Sequence, residues 1–264
     1  MRKTVLITGA TDGIGLETAA QLAELGNRIL LHGRNAARGR RALEAVQRRA
    51  TDPDQHRYVQ ADLADLDEVR ALATQLAGEN IDVLINNAGV FMNERKLSRQ
   101  GYEMTFAVNH LAHFLLTTLL LERIPDGGRV ITLSSIAHSR ASLDFDNLQL
   151  ERGFSGYAAY ATSKLLNAMF ARELADRVRA RRIDSNSVHP GVITTKLLKT
   201  GFNMGGADLA EGAATSVYLA QAAEVAGVTG RYFANKKPTR SNALVEDAAA
   251  REQLWKISAG MCRA

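Results

Sequence analysis

The sequence predicts one α/β domain over residues 1–264: three layers, doubly wound, around a mostly parallel sheet of seven strands. Three observations carry this expectation. Apolar, β-branched runs alternate with stretches of helical spacing along the whole chain. A glycine-rich turn joins the first strand pattern to the first helix pattern. Two longer segments, 137–156 and 197–207, follow the C-terminal ends of strands, where open α/β sheets bind ligands.

The elements follow in order. Val5, Leu6 and Ile7 suit a buried strand; after the turn, Ile14, Ala19, Leu22 and Leu25 recur at helical spacing. Strands are expected at 28–32, 57–60, 81–85, 129–134, 183–189 and 231–234. Helices are expected at 35–49, 65–77, 102–122, 157–180, 208–221 and 246–257. Right-handed crossovers between such units leave a parallel sheet covered on both faces as the compact solution. No repeat, linker or low-complexity tract interrupts the alternation.

Hydrophobic residues make up 46% and charged residues 23%, as in an ordinary globular chain. The one cysteine, Cys262, excludes a disulfide framework or a cysteine metal cluster and points to a reducing compartment. The chain passes from Met1-Arg-Lys straight into its first strand, which leaves no room for a signal peptide. The longest apolar stretch, 111–121, carries His113, Thr117 and Thr118 and reads as a buried helix. The expectation is therefore a cytoplasmic protein without stable membrane insertion. The net charge of +5 comes from arginines spread over helical segments without interleaved aromatics. That is a solvated face, not a nucleic-acid surface.

The glycine turn carries the first chemistry. Gly9, Gly13 and Gly15 follow a G-x-x-x-G-x-G spacing; Thr11, Asp12 and Ile14 complete it. Such a turn brings bare backbone and a helix N-terminus against a pyrophosphate, although an ordinary glycine-rich turn has the same composition. The second strand ends in His32-Gly33-Arg34-Asn35, and no acidic residue occurs between Arg28 and Arg41. A non-phosphorylated dinucleotide wants a carboxylate there for its ribose. Arg34, with Asn35 beside it and Arg38 one turn on, suits a 2′-phosphate instead. The cofactor expected is NADP(H), with NAD(H) as the alternative. Asp62 and Leu63 stand where an adenine would be touched; Asp62 equally fits a polar stop before the next helix. Asn87, Ala88 and Gly89 directly follow the fourth strand and let a ribose approach, or form a plain turn.

Asn109 lies in an apolar helical stretch, where asparagine either satisfies a bulge or carries out chemistry. The fifth strand runs into Ser134-Ser135. Tyr160 and Lys164 then stand at i and i+4, on one helix face. An ammonium beside a phenol favours the phenolate, and work near neutrality needs a shift of roughly three units from the free value; one close cation plus a positively charged nicotinamide ring would supply it. Ser135 offers a hydroxyl to polarise a carbonyl. Tyr157 is seven residues from Lys164, about 10 Å along a helix, too far for contact. His110, His113, His138 and His189 match no helical metal-ligand spacing and read as structural.

Taken together, these residues resemble the short-chain dehydrogenase/reductase family over nearly the entire chain, in its retinol-dehydrogenase-like and protochlorophyllide-reductase-like branch. The segments that carry the closer likeness are Thr-Asp-Gly-Ile-Gly-Leu-Glu-Thr-Ala, Gly-Arg at the second strand's end, Val-Asn-His-Leu-Ala-His-Phe-Leu-Leu-Thr and Leu-Ser-Ser-Ile-Ala-His. The resemblance implies a catalytic set of Asn109, Ser135, Tyr160 and Lys164. It also implies a nicotinamide-carboxamide contact from Pro190, Gly191, Ile193 and Thr195. Tyr160 would exchange a proton with the substrate oxygen, and Ser135 would orient it. Lys164 would lower the phenol's pKa and bond the ribose, and Asn109 would hold a relay water. Asp12 departs from the neutral or basic residue usual in NADP-dependent members.

The expected activity is NADP(H)-dependent hydride transfer with a small-to-medium apolar carbonyl or primary or secondary alcohol. A catalytically silent cofactor sensor or scaffold is the alternative on the same fold. Phe145, Leu148, Phe154, Phe202 and Met204 would make the pocket apolar or else pack its loops down. The long helices 102–122 and 157–180 would pair copies into a homodimer or homotetramer, or simply cover the sheet.

Overall fold

The computed structural model describes residues 2–196, 201 and 205–263. It begins β1 (Thr4–Ile7), α1 (Gly13–Glu24), β2 (Arg28–Gly33), α2 (Ala36–Arg49), β3 (Arg57–Gln60), α3 (Leu66–Gln75) and β4 (Val83–Asn86). A composite helix α4 follows, with α-helical Met104–Phe106, π-helical Ala107–Leu111 and α-helical Ala112–Leu120. Then come β5 (Arg129–Leu133), α5 (Gly156–Arg177), β6 (Asp184–His189), α6 (Leu209–Gln221), β7 (Tyr232–Ala234), β8 (Lys237–Pro238) and α7 (Ala248–Met261).

The strands pair in the order β3-β2-β1-β4-β5-β6-β7-β8. The order reverses between β1 and β4, the doubly wound dinucleotide-binding (Rossmann) arrangement. All pairs are parallel except β7 with β8, which face as Phe233↔Pro238 and Ala234↔Lys237. This eighth strand is one more than expected. Its turn places both Asn235 and Lys236 at positive φ, and lysine at the second position hides the usual Asn-Gly signature.

Strand residues alternate between two apolar layers. Leu6, Leu30, Leu84 and Val130 pack with α3, α4, α5 and α7. Val5, Ile7, Ile29, Leu31 and Ile85 pack with α1, α2 and α6. Burial on both faces explains why these strands read as continuous apolar runs. Asp12, Asn35, Asp65, Ser155, Asp208 and Asp247 each accept a backbone N–H at the start of α1, α2, α3, α5, α6 and α7. Each cap contributes about 1 kcal/mol. β4 begins two residues later than its apolar run suggested, because the Asp82 carboxylate accepts from the Thr4 N–H at 2.7 Å.

Helix Met104–Arg123 is long and apolar enough to cross a membrane by composition, yet 78% of that window is buried inside the domain. It is the core helix under the sheet. His110 and His113 lie within it and His32 lies at the end of β2; all three are buried. Burial lowers His32 and His110 to about 4 and His113 to about 3. Between these values and 6.5 the unfolded chain binds more protons than the folded one, so stability falls as pH falls. From pH 7 to pH 5 each of the three should cost about 2 kcal/mol. Urea unfolding at the two pH values checks this, and an unchanged midpoint would contradict it.

Candidate active site

The site is built at the C-terminal ends of β1, β4, β5 and β6. β1 runs directly into the glycine turn. Gly9 and Gly13 have φ of +65° and +55°, which L side chains resist, and a Cβ on Gly9 would lie 2.9 Å from Ala88 Cα. The amides of Ile14 and Gly15, at the start of α1, have no protein acceptor among the described residues. They leave a bare, positive helix end suited to an anionic cofactor's phosphates. Thr8 ties this turn to the segment after β4: its hydroxyl oxygen accepts from the Asn87 and Ala88 amides at 2.9 and 3.0 Å. Asn87 Nδ2 donates to the Thr8 carbonyl at 2.7 Å.

A cavity of about 810 Å³ opens above this floor. Asp12, Gly13, Ile14, Gly15, Asn87 and Gly89 line one part. Ser135, Tyr160, Lys164, Pro190, Gly191, Ile193 and Thr195 line the rest. Residues far apart in sequence thus meet as expected. Gly9, Thr11 and Ala88 support the floor without lining the cavity. Arg34 and Asn35 stand exposed at the end of β2, outside the cavity, and Asn35 spends its side chain capping α2. Asp62 accepts from the Ala64 amide at 3.0 Å while Asp65, not Asp62, caps α3. The Leu63 side chain is buried in the core.

Ser135 lies two residues past the end of β5 and caps the tight turn Ile136–Arg140. Its hydroxyl is hydrogen-bonded to Tyr160. Tyr160 and Lys164 sit one turn apart on α5, both buried. The Lys164 ammonium donates to the Leu133 carbonyl at 3.1 Å and lies 5.6 Å from the centre of the Tyr160 ring. Asn109 sits in the π-helical segment. Its Oδ1 accepts from the Val90 amide at 2.8 Å, and its Nδ2 donates to the Val90 carbonyl at 3.1 Å and to Ser163 Oγ at 3.0 Å. The bulge foreseen at Asn109 is therefore present, and its amide pins the segment after β4 to α5. Beneath it His113 donates from Nδ1 to the Asn109 carbonyl and accepts from Thr8 at Nε2, both at 2.9 Å. This hub joins the glycine turn to α5.

The comparisons with known proteins cover the segments that build this site. The family model described as short chain dehydrogenase matches residues 3–204. The chain belongs to the short-chain dehydrogenases. Human retinol dehydrogenase 14 is 38% identical over 97% of this chain and 85% of its own length. Human polyprenol dehydrogenase is 35% identical over 98% and 84%. Among solved structures, an uncharacterised Mycobacterium paratuberculosis protein superposes with a TM-score of 0.82 at 31% identity, covering 99% of this chain and 94% of its own. A blue fluorescent protein from a metagenomic library, solved with NADPH, gives 0.72 at 28%, covering 88% and 96%. The protein is an oxidoreductase of the retinol-dehydrogenase-like branch of this family.

Burial dominates the electrostatics of this short-chain dehydrogenase site. It pushes the Tyr160 phenol up to about 12, only partly offset by the hydrogen bond to Ser135. Burial also lowers Lys164 to about 8. The ammonium lies over the ring, 5.6 Å from its centre; the expected depression calls for a positively charged nicotinamide ring beside it as well. The negative charge of Asp12, the departure noted in the turn, is answered by a salt bridge to Lys196 from the segment after β6. That bond holds the Asp12 carboxyl below its usual range. No spacing signal reveals this pair, which spans 184 residues.

The pocket loops also differ. Ala137, Ser139 and Arg140 line the cavity, with exposed Ile136, Tyr157 and Val192 at its mouth. Phe145 and Leu148 pack into the core instead, and Phe154 is not part of the wall. Phe202 and Met204 lie outside the described residues.

Proposed function

We propose that this protein is an NADP(H)-dependent oxidoreductase acting on the carbonyl, or primary or secondary alcohol, of a small-to-medium apolar substrate, with Tyr160 as general acid/base. The observation that carries the reading is the meeting of Ser135, Tyr160 and Lys164 at the wall of the glycine-floored cavity. A silent sensor would not need a protonated phenol aimed into that space.

The residues fit a nicotinamide dinucleotide. The unpaired amides of Ile14 and Gly15 suit its pyrophosphate, and the apolar step Pro190–Ile193 suits the ring. Arg34 and Arg38 are both exposed beside the cleft's adenosine end, with the Arg38 charge felt by Asp12, and they favour a 2′-phosphate. A structural relative solved with NADPH agrees with this. When bound, the nicotinamide supplies the hydride. Ser135 accepts or donates at the substrate oxygen and fixes its direction. Tyr160, protonated at neutral pH, gives that oxygen a proton, which suits carbonyl reduction. Lys164, with N–H groups left beyond its bond to Leu133, holds the ribose and passes a proton inward. The Asn109 side chain is committed to Val90 and Ser163. A relay water would therefore be held at its remaining lone pair or its carbonyl. The mouth formed by Ile136, Tyr157 and Val192 suits an apolar carbonyl. The human relatives are named for retinol and polyprenol, both lipid alcohols. Work in the cytoplasm, without membrane insertion, completes the proposal.

The test is a spectrophotometric screen of apolar aldehydes, ketones and secondary alcohols with both nicotinamides. NADPH oxidation with apolar carbonyls is the expected result; no cofactor turnover across the panel would reject the reading. In the same assay Arg34→Asp should move the NADPH-over-NADH preference by tenfold or more toward NADH. An unchanged ratio would remove Arg34 from 2′-phosphate recognition.

A further inference from the structure

The peptide between Ser135 and Ile136 is gripped at both edges by imidazoles. On one edge the Ser135 carbonyl lies 2.6 Å from His138 Nδ1. On the other the Ile136 amide donates to His189 Nδ1 at 3.3 Å. The roles of the His138 nitrogens are fixed by their partners. Its Nε2 faces the Asn242 backbone amide at 3.3 Å, which can only donate. Nε2 is therefore the acceptor, and Nδ1 carries the proton it gives to Ser135. His189 Nδ1 must likewise be an acceptor.

The grip has a second layer. Asn242 comes from beyond β8, more than a hundred residues away, and its Nδ2 donates to the His138 and Ala141 carbonyls at 3.2 and 3.1 Å. The His138 ring is buried against Tyr232 of β7, centroids 4.5 Å apart. The preceding residue is anchored too: the Ser134 amide donates to the Val188 carbonyl at 2.8 Å and its hydroxyl to the Lys164 carbonyl at 2.7 Å. With the residue before it anchored and the peptide plane after it gripped, Ser135 has little freedom, above all in ψ. Its Cα–Cβ bond, and so its hydroxyl, keeps one direction toward Tyr160.

We propose that His138, His189 and Asn242 are positioning residues for Ser135, acting through the 135–136 peptide. This rests on the reading of Ser135 as the group that orients the substrate oxygen. Neutral imidazoles serve here as rigid hydrogen-bonding pieces. A protonated His189 would present a donor to the Ile136 amide and release that edge.

Two readouts test it. Amide hydrogen exchange over 134–140 in the cofactor-free protein measures the grip directly. His189→Leu and His138→Leu should each speed exchange there at least tenfold while α1 and β1 stay unchanged. Steady-state kinetics with NADPH and a responsive carbonyl from the screen measure the consequence. His138→Leu should lower kcat tenfold or more with NADPH affinity within twofold. His138→Asn, which keeps an N–H near Nδ1, should recover most of the loss. Tyr232→Leu, which removes only the packing behind the ring, should lower Tm and leave kcat within twofold. Unchanged exchange in both leucine variants would overturn the proposal. So would a kcat loss that the asparagine variant shares in full, or one that Tyr232→Leu reproduces. If the wild-type protein turned over nothing, the oxidoreductase reading would fall, and the exchange arm would still decide the grip.

Discussion

Tyr160→Phe should lower turnover by about a thousandfold while leaving NADPH binding within about twofold. The substitution removes one oxygen from a side chain that is already buried. The ring keeps its contact with Phe91, centroids 5.6 Å apart, and stays under the Lys164 ammonium. Fold and cleft therefore survive, and the loss falls on proton transfer to the substrate oxygen. The Ser135 hydroxyl loses a partner, which adds to the effect. Single-turnover absorbance at 340 nm separates chemistry from release, and cofactor fluorescence measures binding. Retention of wild-type turnover would assign the proton to another group. The same phenol predicts the pH dependence. Held at about 12 by burial, it stays protonated through neutrality, so carbonyl reduction should not fall off on the alkaline side through its own ionisation below about pH 10. Lys164, at about 8, should titrate first.

Gly15→Ala should damage both the fold and cofactor binding. The added Cβ would lie 2.4 Å from both the Gly9 carbonyl oxygen and Asn87 Nδ2. Neither can withdraw cheaply. Gly9 holds a left-handed conformation against Ala88, and Asn87 is bonded to the Thr8 carbonyl. Relief must come from shifting the turn or breaking the bond between the β1 and β4 ends, at about 3 kcal/mol. For a chain of this size that corresponds to a Tm lower by roughly 6–12 °C. NADPH affinity should fall tenfold or more, because the displaced amides are those that meet the phosphates. Gly78→Ala is the matched control: nothing lies within 4 Å of its added Cβ, and Tm should hold. Equal behaviour of the two variants would refute the steric argument.

Much of the architecture was legible because local and tertiary signals agree. Runs such as Val5–Ile7 are buried on both faces, so apolar continuity marks them as strands without help from the rest of the fold. Helix starts were legible for the same reason: Asn35, Asp65 and Asp208 cap the helices they precede. Tyr160 and Lys164 were legible because a fixed helical repeat sets their separation. What escaped depends on contacts that no local pattern encodes. The salt bridge from Lys196 to Asp12 and the bonds from Asn242 to His138 join segments over a hundred residues apart. Spacing likewise says that a lysine is near the Tyr160 ring, but not how strongly burial raises the phenol.

The π-helical segment 107–111 has a mechanical consequence. A π turn holds one residue more than an α turn over nearly the same path. Removing one residue there would restore ordinary winding and leave the two flanking halves facing as they do. The Glu103 cap on Thr105 and Phe106 would stay, while the wide turn that presents Asn109 to Val90 and Ser163 would close. The surplus residue thus serves the junction with neighbouring segments and not the continuity of the helix itself.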